Sequence, residues 1–99
     1  MSRFWGTDVF VVQATESAFA MCQKLARDLR AAGIATLLDI DGKSMKSQLR
    51  QADKSGAAIA LILGEDELSK NSVKLRKLGS SEQEEVPMEG VVQRVRQLQ

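Results

Sequence analysis

Ninety-nine residues make one small domain, long enough for a single core and too short for a multidomain machine. Hydrophobic residues are 43% and charged residues 27%, a globular balance that excludes a disordered or collagen-like chain. Fourteen Lys and Arg against thirteen Asp and Glu leave a formal charge of +1, so no global field draws the chain to nucleic acid or membrane, and a charged partner must meet a local patch.

The chain has no histidine, and its one cysteine is Cys22. Within these residues that excludes Ser-His-Asp and Cys-His nucleophile systems, Cys/His zinc sites and a disulfide framework. No apolar run approaches the ~20 residues of a membrane span, and Met1 to Gly6 lack a secretory h-region, so the expectation is a soluble intracellular protein. Cys22 falls in a helical pattern with no cation at helical spacing, which predicts a buried structural thiol.

In chain order, Asp8 to Val12 is β-branched and aromatic and predicts a strand buried on both faces. Thr15 is placed to cap the next segment, whose apolar positions recur from Ala18 to Ala32 and stop at Gly33, as a helix of about four turns would. Ile34 to Ile40 predicts a second strand ending in an Asp41-Gly42 turn. Lys43 to Lys54 predicts a second helix with Met45, Leu49 and Ala52 inside an arc of about 60° and Lys43, Lys46, Arg50 and Lys54 on the opposite side. Ala57 to Leu63 is the most apolar stretch and predicts the central strand.

Gly64 to Leu68 reads as an acidic loop. Asn71 to Leu78 alternates with period two, as a strand with one solvated side does. Gly79-Ser80-Ser81 predicts a tight turn, Glu82 to Val86 a returning acidic strand, and Pro87 the first position of a final helix. The order β-α-β-α-β-β-β-α makes the first three strands parallel, with helices on both faces and the first and third strands side by side. A crevice then opens at their carboxyl ends, where open α/β sheets bind ligands.

Gln13 to Glu16, Asp41 to Lys46 and Gly64 to Lys70 border that crevice, and the last of these carries the carboxylates Glu65, Asp66 and Glu67. With no Gly-rich phosphate loop or second acidic motif beside them, a solvated loop is the simpler reading than general acid/base work or Mg²⁺ binding. A carboxylate in a basic groove has a further use, accepting hydrogen bonds from an unstacked base. The basic helix stripe gains weight because the amino end of that helix points at the crevice. Lys70, Lys74, Arg76 and Lys77 add four cations within eight residues, partly neutralised by glutamates of the returning strand. Trp5, in the lead, predicts edge packing or disorder in preference to a stacking platform. From the residues alone, the chain is a small α/β binding module with a basic, phosphate-friendly crevice and no catalytic machinery.

The run Asp41-Gly42-Lys43-Ser44-Met45-Lys46-Ser47-Gln48-Leu49-Arg50-Gln51-Ala52-Asp53-Lys54-Ser55-Gly56-Ala57, followed by Ala60-Leu61-Ile62-Leu63-Gly64-Glu65-Asp66-Glu67-Leu68, closely resembles the C-terminal anticodon-binding domain of histidyl-tRNA synthetases, class II aminoacyl-tRNA synthetases. The opening Asp8 to Val12 and the closing Glu82 to Pro87 fit the same pattern. The resemblance covers residues 8–99, with 1–7 as a lead, and implies a three-layer α/β/α fold with a five-stranded mixed sheet.

The resemblance also implies that the crevice receives the anticodon loop of histidine-specific tRNA. Carried over position by position, Glu67 resembles the family carboxylate that reads a splayed base, and Arg76 its cationic partner. Lys46 and Arg50 are then expected on bases or phosphates, with Gln13, Lys43 and Ser44 at the rim. Two departures stand out: Gln13 where the family often has Pro, and Lys77 where it usually has an acid. The class II catalytic motifs are absent from this sequence. The expectation is therefore a recognition domain without catalysis, acting for a cytoplasmic, homodimeric histidine–tRNA ligase whose ATP and Mg²⁺ are bound elsewhere. The isolated domain would need no cofactor or metal and no membrane, and would be monomeric. The alternative is a freestanding synthetase-like module for tRNA sensing, protein interaction or dimerisation.

Overall fold

The computed structural model describes residues 7–39, 44–80 and 82–98. Five strands, β1 (Val9–Gln13), β2 (Thr36–Leu38), β3 (Ile59–Leu63), β4 (Ser72–Lys77) and β5 (Gln83–Pro87), form one mixed sheet in the order β2-β1-β3-β4-β5. The first three are parallel, and β3-β4 and β4-β5 are antiparallel. Four helices complete the fold: α1 (Phe19–Ala31), α2 (Met45–Ser55), α3 (Glu65–Lys70) and α4 (Val91–Leu98). The three-layer α/β/α arrangement is the one expected.

Alternation along the strands divides the core in two. Val9 and Val11 of β1, with Leu61, Leu63, Val73 and Leu75, pack against Cys22, Leu25 and Leu29 of α1 and Val91 and Val95 of α4. On the opposite face Phe10, Val12, Ala60 and Ile62 pack against Ala52 of α2, with Leu49 and Leu78 alongside. The Cys22 thiol is wholly buried, and desolvation pushes its pKa up to about 12, so it is an inert core group.

Local chemistry moved several boundaries. Thr15 has extended N-cap dihedrals but makes no side-chain cap bond, and a 3-10 turn over Glu16–Ala18 precedes α1. The second strand is only three residues long, and Ile40, the Asp41-Gly42 turn and Lys43 lie outside the described residues, as do the Met1 to Gly6 lead with Trp5, and Ser81. The expected acidic loop is the helix α3. Its three acids occupy the first turn, where they complement the helix dipole, and Asn71, with φ 56°, closes it in the left-handed region. Pro87 ends β5 and caps a 3-10 turn over Met88–Gly90, so the last helix starts later than its proline suggested.

The buried stripe of α2 is also rotated from the expected one. Met45 is 38% exposed, whereas Gln48 is 1% exposed and sits with Ala52 against the sheet. A polar side chain takes the core position because its amide oxygen and nitrogen both hydrogen-bond the Gln13 backbone.

Candidate nucleic-acid interface

A groove of about 520 Å³ opens at the carboxyl ends of β1 and β3. Ala14 and Thr15, just past β1, and Ile62 and Gly64, at the end of β3, form its floor and one wall. Met45, in the first turn of α2, lines it, and Glu65, Asp66 and Glu67 of α3 bound it. Lys74 and Arg76 of β4 and Gln83 of β5 complete it.

Register explains why these groups share a face. Ile62 is opposite Lys74 and Ala60 opposite Arg76, so both cations stand on the α2 face of the sheet. Across the next ladder Lys74 is opposite Glu85 and Arg76 opposite Gln83. The apolar cluster on this face ends at β3, and the β4-β5 part presents polar, partly exposed side chains. Sheet surface that a helix would otherwise cover is thus a charged platform beside the groove.

Glu67 is 8% exposed, and both its oxygens are engaged. Oε1 accepts the Gly64 N–H at 2.8 Å, satisfying one of the unpaired donors at the amino end of α3. Oε2 lies 3.5 Å from Lys74 Nζ. Space is tight at Gly64: a Cβ would stand 3.0 Å from Glu67 Oε1 and 3.3 Å from Ala14 Cβ, so a side chain there would push the Glu67 carboxylate by a few tenths of an ångström. The cationic partner of Glu67 is therefore Lys74, where Arg76 was expected. Arg76 Nε instead donates to Gln83 Oε1 at 3.1 Å. Two-residue alternation puts Lys74 and Arg76 on one face, but only the position of α3 decides which of them reaches the carboxylate.

The other residues singled out in the sequence have different surroundings. Ser44 is the N-cap of α2, and its Oγ accepts the Ser47 N–H at 3.2 Å. Gln13 is held through its backbone by the Gln48 side chain. Lys46 and Arg50 are exposed, and helical spacing turns Arg50 away from the buried Gln48–Ala52 stripe; neither lines the groove. Lys43 lies outside the described residues. The structure thus brings Glu67 and Arg76 into one groove and leaves the α2 cations on the outward flank.

Lys74, Ile62 and Gln83 line the groove without having been singled out as site members, whereas Ala14, Thr15 and Met45 fall in the segments expected at its border. For Lys74 the signal was present in the strand alternation that sets it on the same face as Arg76, which the family resemblance had singled out. The charge of this strand is partly compensated, as its neighbouring acids suggested, with Lys77 3.0 Å from Glu82 and Lys70 4.0 Å from Glu85. Among the described residues no group of three or more His, Cys, Asp or Glu is placed to hold a metal ion, and no helix is long and apolar enough to cross a membrane.

A three-layer sheet that leaves its antiparallel half open beside a charged groove defines a recognition domain of the anticodon-binding class. Residues 8–98 match the family model described as "Anticodon binding domain", and the chain belongs to that family. Its similar curated relatives include the histidine–tRNA ligase of Rhodococcus erythropolis, 42% identical over 88 residues that cover 89% of this chain and 21% of that protein. The histidine–tRNA ligase of Chlorobium limicola is 39% identical over 88 residues, covering 89% of this chain and 20% of that one.

The crystal structure of apo histidyl-tRNA synthetase from S. aureus superposes with a TM-score of 0.85 at 27% identity, covering 92% of this chain and 27% of that one. The RNA-binding domain of threonyl-tRNA synthetase from Cryptosporidium parvum shares the fold, with a TM-score of 0.83 at 17% identity. The chain spans about a fifth of the length of these curated relatives (21% and 20%).

Proposed function

We propose that this domain binds the anticodon loop of histidine tRNA in the groove between α2, α3 and the open β4-β5 platform, on behalf of a histidine–tRNA ligase. The observation that carries the reading is the pairing of two cations on one sheet face with carboxylates at the mouth of a groove in an anticodon-binding-domain fold. Lys74 and Arg76 offer donors to phosphate oxygens, and Arg76 can do so through two nitrogens at once. Glu67, with the exposed Glu65 and Asp66, offers acceptors for the N–H groups of an unstacked base, which a phosphate site would have no use for.

The apolar contribution comes from the exposed Met45, whose side chain gives a base face something to lie on. Lys46 and Arg50, on the outer flank of α2, then act at longer range on the phosphates of the loop. In this reading the chain supplies recognition, and the adenylating chemistry, with its ATP and Mg²⁺, belongs to other residues of a homodimeric, cytoplasmic ligase.

Titrations of anticodon stem-loops at several salt concentrations test the assignment. Lys74→Ala and Arg76→Ala each weaken every loop similarly and lower the salt slope by about one unit per phosphate contact. Glu67→Gln keeps the acceptor for Gly64 and removes the charge; it lowers discrimination between anticodons without lowering the slope. Wild-type behaviour in all three variants would overturn the reading.

A further inference from the structure

We propose that Gln48 is a positioning residue that holds the wall of the groove by pairing with the Gln13 backbone beyond the last β1-β2 pair; the inference rests on the anticodon reading for its functional consequence. In β1 the backbone groups alternate in direction. Val9 N–H donates to Ala35 C=O on the β2 side, and Ala14 N–H donates to Leu63 C=O on the β3 side. Gln13 therefore points both its N–H and its C=O toward β2.

But β2 ends at Leu38, which pairs with Val11, two residues short of Gln13. The Gln48 side chain takes both groups. Its Oε1 accepts the Gln13 N–H at 2.8 Å and its Nε2 donates to the Gln13 C=O at 2.7 Å, the pattern of a peptide group in a ladder. Unpaired, those two backbone groups would sit part-buried at a strand end.

The location gives the contact its consequence. Gln13 leads directly into Ala14 and Thr15, which line the groove, and Gln48 lies one helical turn from Met45, which lines it from the other side. One amide thus fixes the spacing between the β1 wall and the amino end of α2. An apolar residue of equal size would pack against Phe10 and Val12 as well and would leave that spacing unset. Pre-organisation of this kind shows in ligand discrimination more than in stability.

The test uses Gln48→Met, which keeps volume and removes both hydrogen bonds, and Gln48→Glu, which keeps the acceptor and removes the donor. Amide hydrogen exchange on the free 99-residue chain is read first: protection of Gln13 falls by about tenfold or more in Gln48→Met while the slowest core amides of β3 keep theirs. In stem-loop titrations both variants lose affinity for the histidine anticodon by about tenfold and lose discrimination against a swapped anticodon, with Met the more severe.

Wild-type affinity and discrimination in both variants, with only stability reduced, would overturn the positioning role, as would unprotected Gln13 in the wild type. Failure of the wild-type chain to bind any loop would overturn the anticodon reading together with the functional part of this one. The exchange data decide separately whether Gln48 sets the wall.

Discussion

At the scale of single residues, Glu67 carries two duties on one carboxylate. Oε1 completes the amino end of α3 through Gly64, and Oε2 faces Lys74 across the groove. Substitutions separate the duties. Glu67→Ala removes the acceptor for a buried N–H and leaves Lys74 without this carboxylate, at a cost of about 1 to 2 kcal/mol in chemical denaturation. Glu67→Gln keeps the acceptor and gives up only a partly screened ion pair, so its cost is about 0.5 kcal/mol. Equal losses in the two variants would show that charge, and not the cap, is what Glu67 gives to stability.

The same residue shows how far single positions are legible. The run of acids after an apolar strand places carboxylates beside the crevice, and the family resemblance singles out Glu67 among them. Its partner was not legible, because Lys74 and Arg76 are equivalent in period two and only the tertiary position of α3 tells them apart. Gln48 was hidden for a related reason: an apolar-periodicity reading of α2 assigns Met45 to the core and a glutamine to solvent. The two hydrogen bonds to the Gln13 backbone put Gln48 in the core, and Met45 stays exposed.

At the scale of elements, the strands β1 and β3 and the helix α1 were plain from composition and spacing, since each is apolar at the period of its structure. The helix α3 was not, because its acidic run lacks an apolar face and owes its form to an amino-terminal cap and to the favourable position of acids there. The ends of β5 and α4 were displaced by the 3-10 turn after Pro87. These two elements are tied by Arg94, which reaches Glu84 through Nη2 at 3.1 Å and through Nε.

The hydrogen bond from Arg94 holds the Glu84 carboxyl below its ordinary value of 4.5. A carboxyl whose pKa is depressed by folding stabilises above its unfolded value, and that contribution disappears as pH falls through the folded value. Arg94→Ala is therefore less stable than the wild type at neutral pH, and the difference narrows in denaturant titrations below pH 4.5. A difference that stays constant with pH would show that Arg94 acts through packing alone.

At the scale of the whole molecule, a net charge of +1 conceals a segregated surface. Lys46, Arg50 and Lys54 share the outward side of α2, and Lys74 and Arg76 share the open sheet face, while Lys77 and Glu84, paired with Glu82 and Arg94, belong to the opposite face of the same two strands. The groove itself is lined by Glu65, Asp66 and Glu67 against Lys74 and Arg76 and is not the basic crevice expected, so net attraction for an anionic loop falls to the α2 flank, which predicts binding that is weak, salt-sensitive and oriented.

Titration of the 99-residue chain at low salt with the anticodon stem-loop of histidine tRNA and with a copy carrying a swapped anticodon is the most direct test of the groove as an anticodon reader. The histidine loop is predicted to bind about tenfold more tightly, as one well-read base edge would provide. Equal affinities, or no binding of either loop, would contradict anticodon reading and leave a protein-interaction module as the function of the domain.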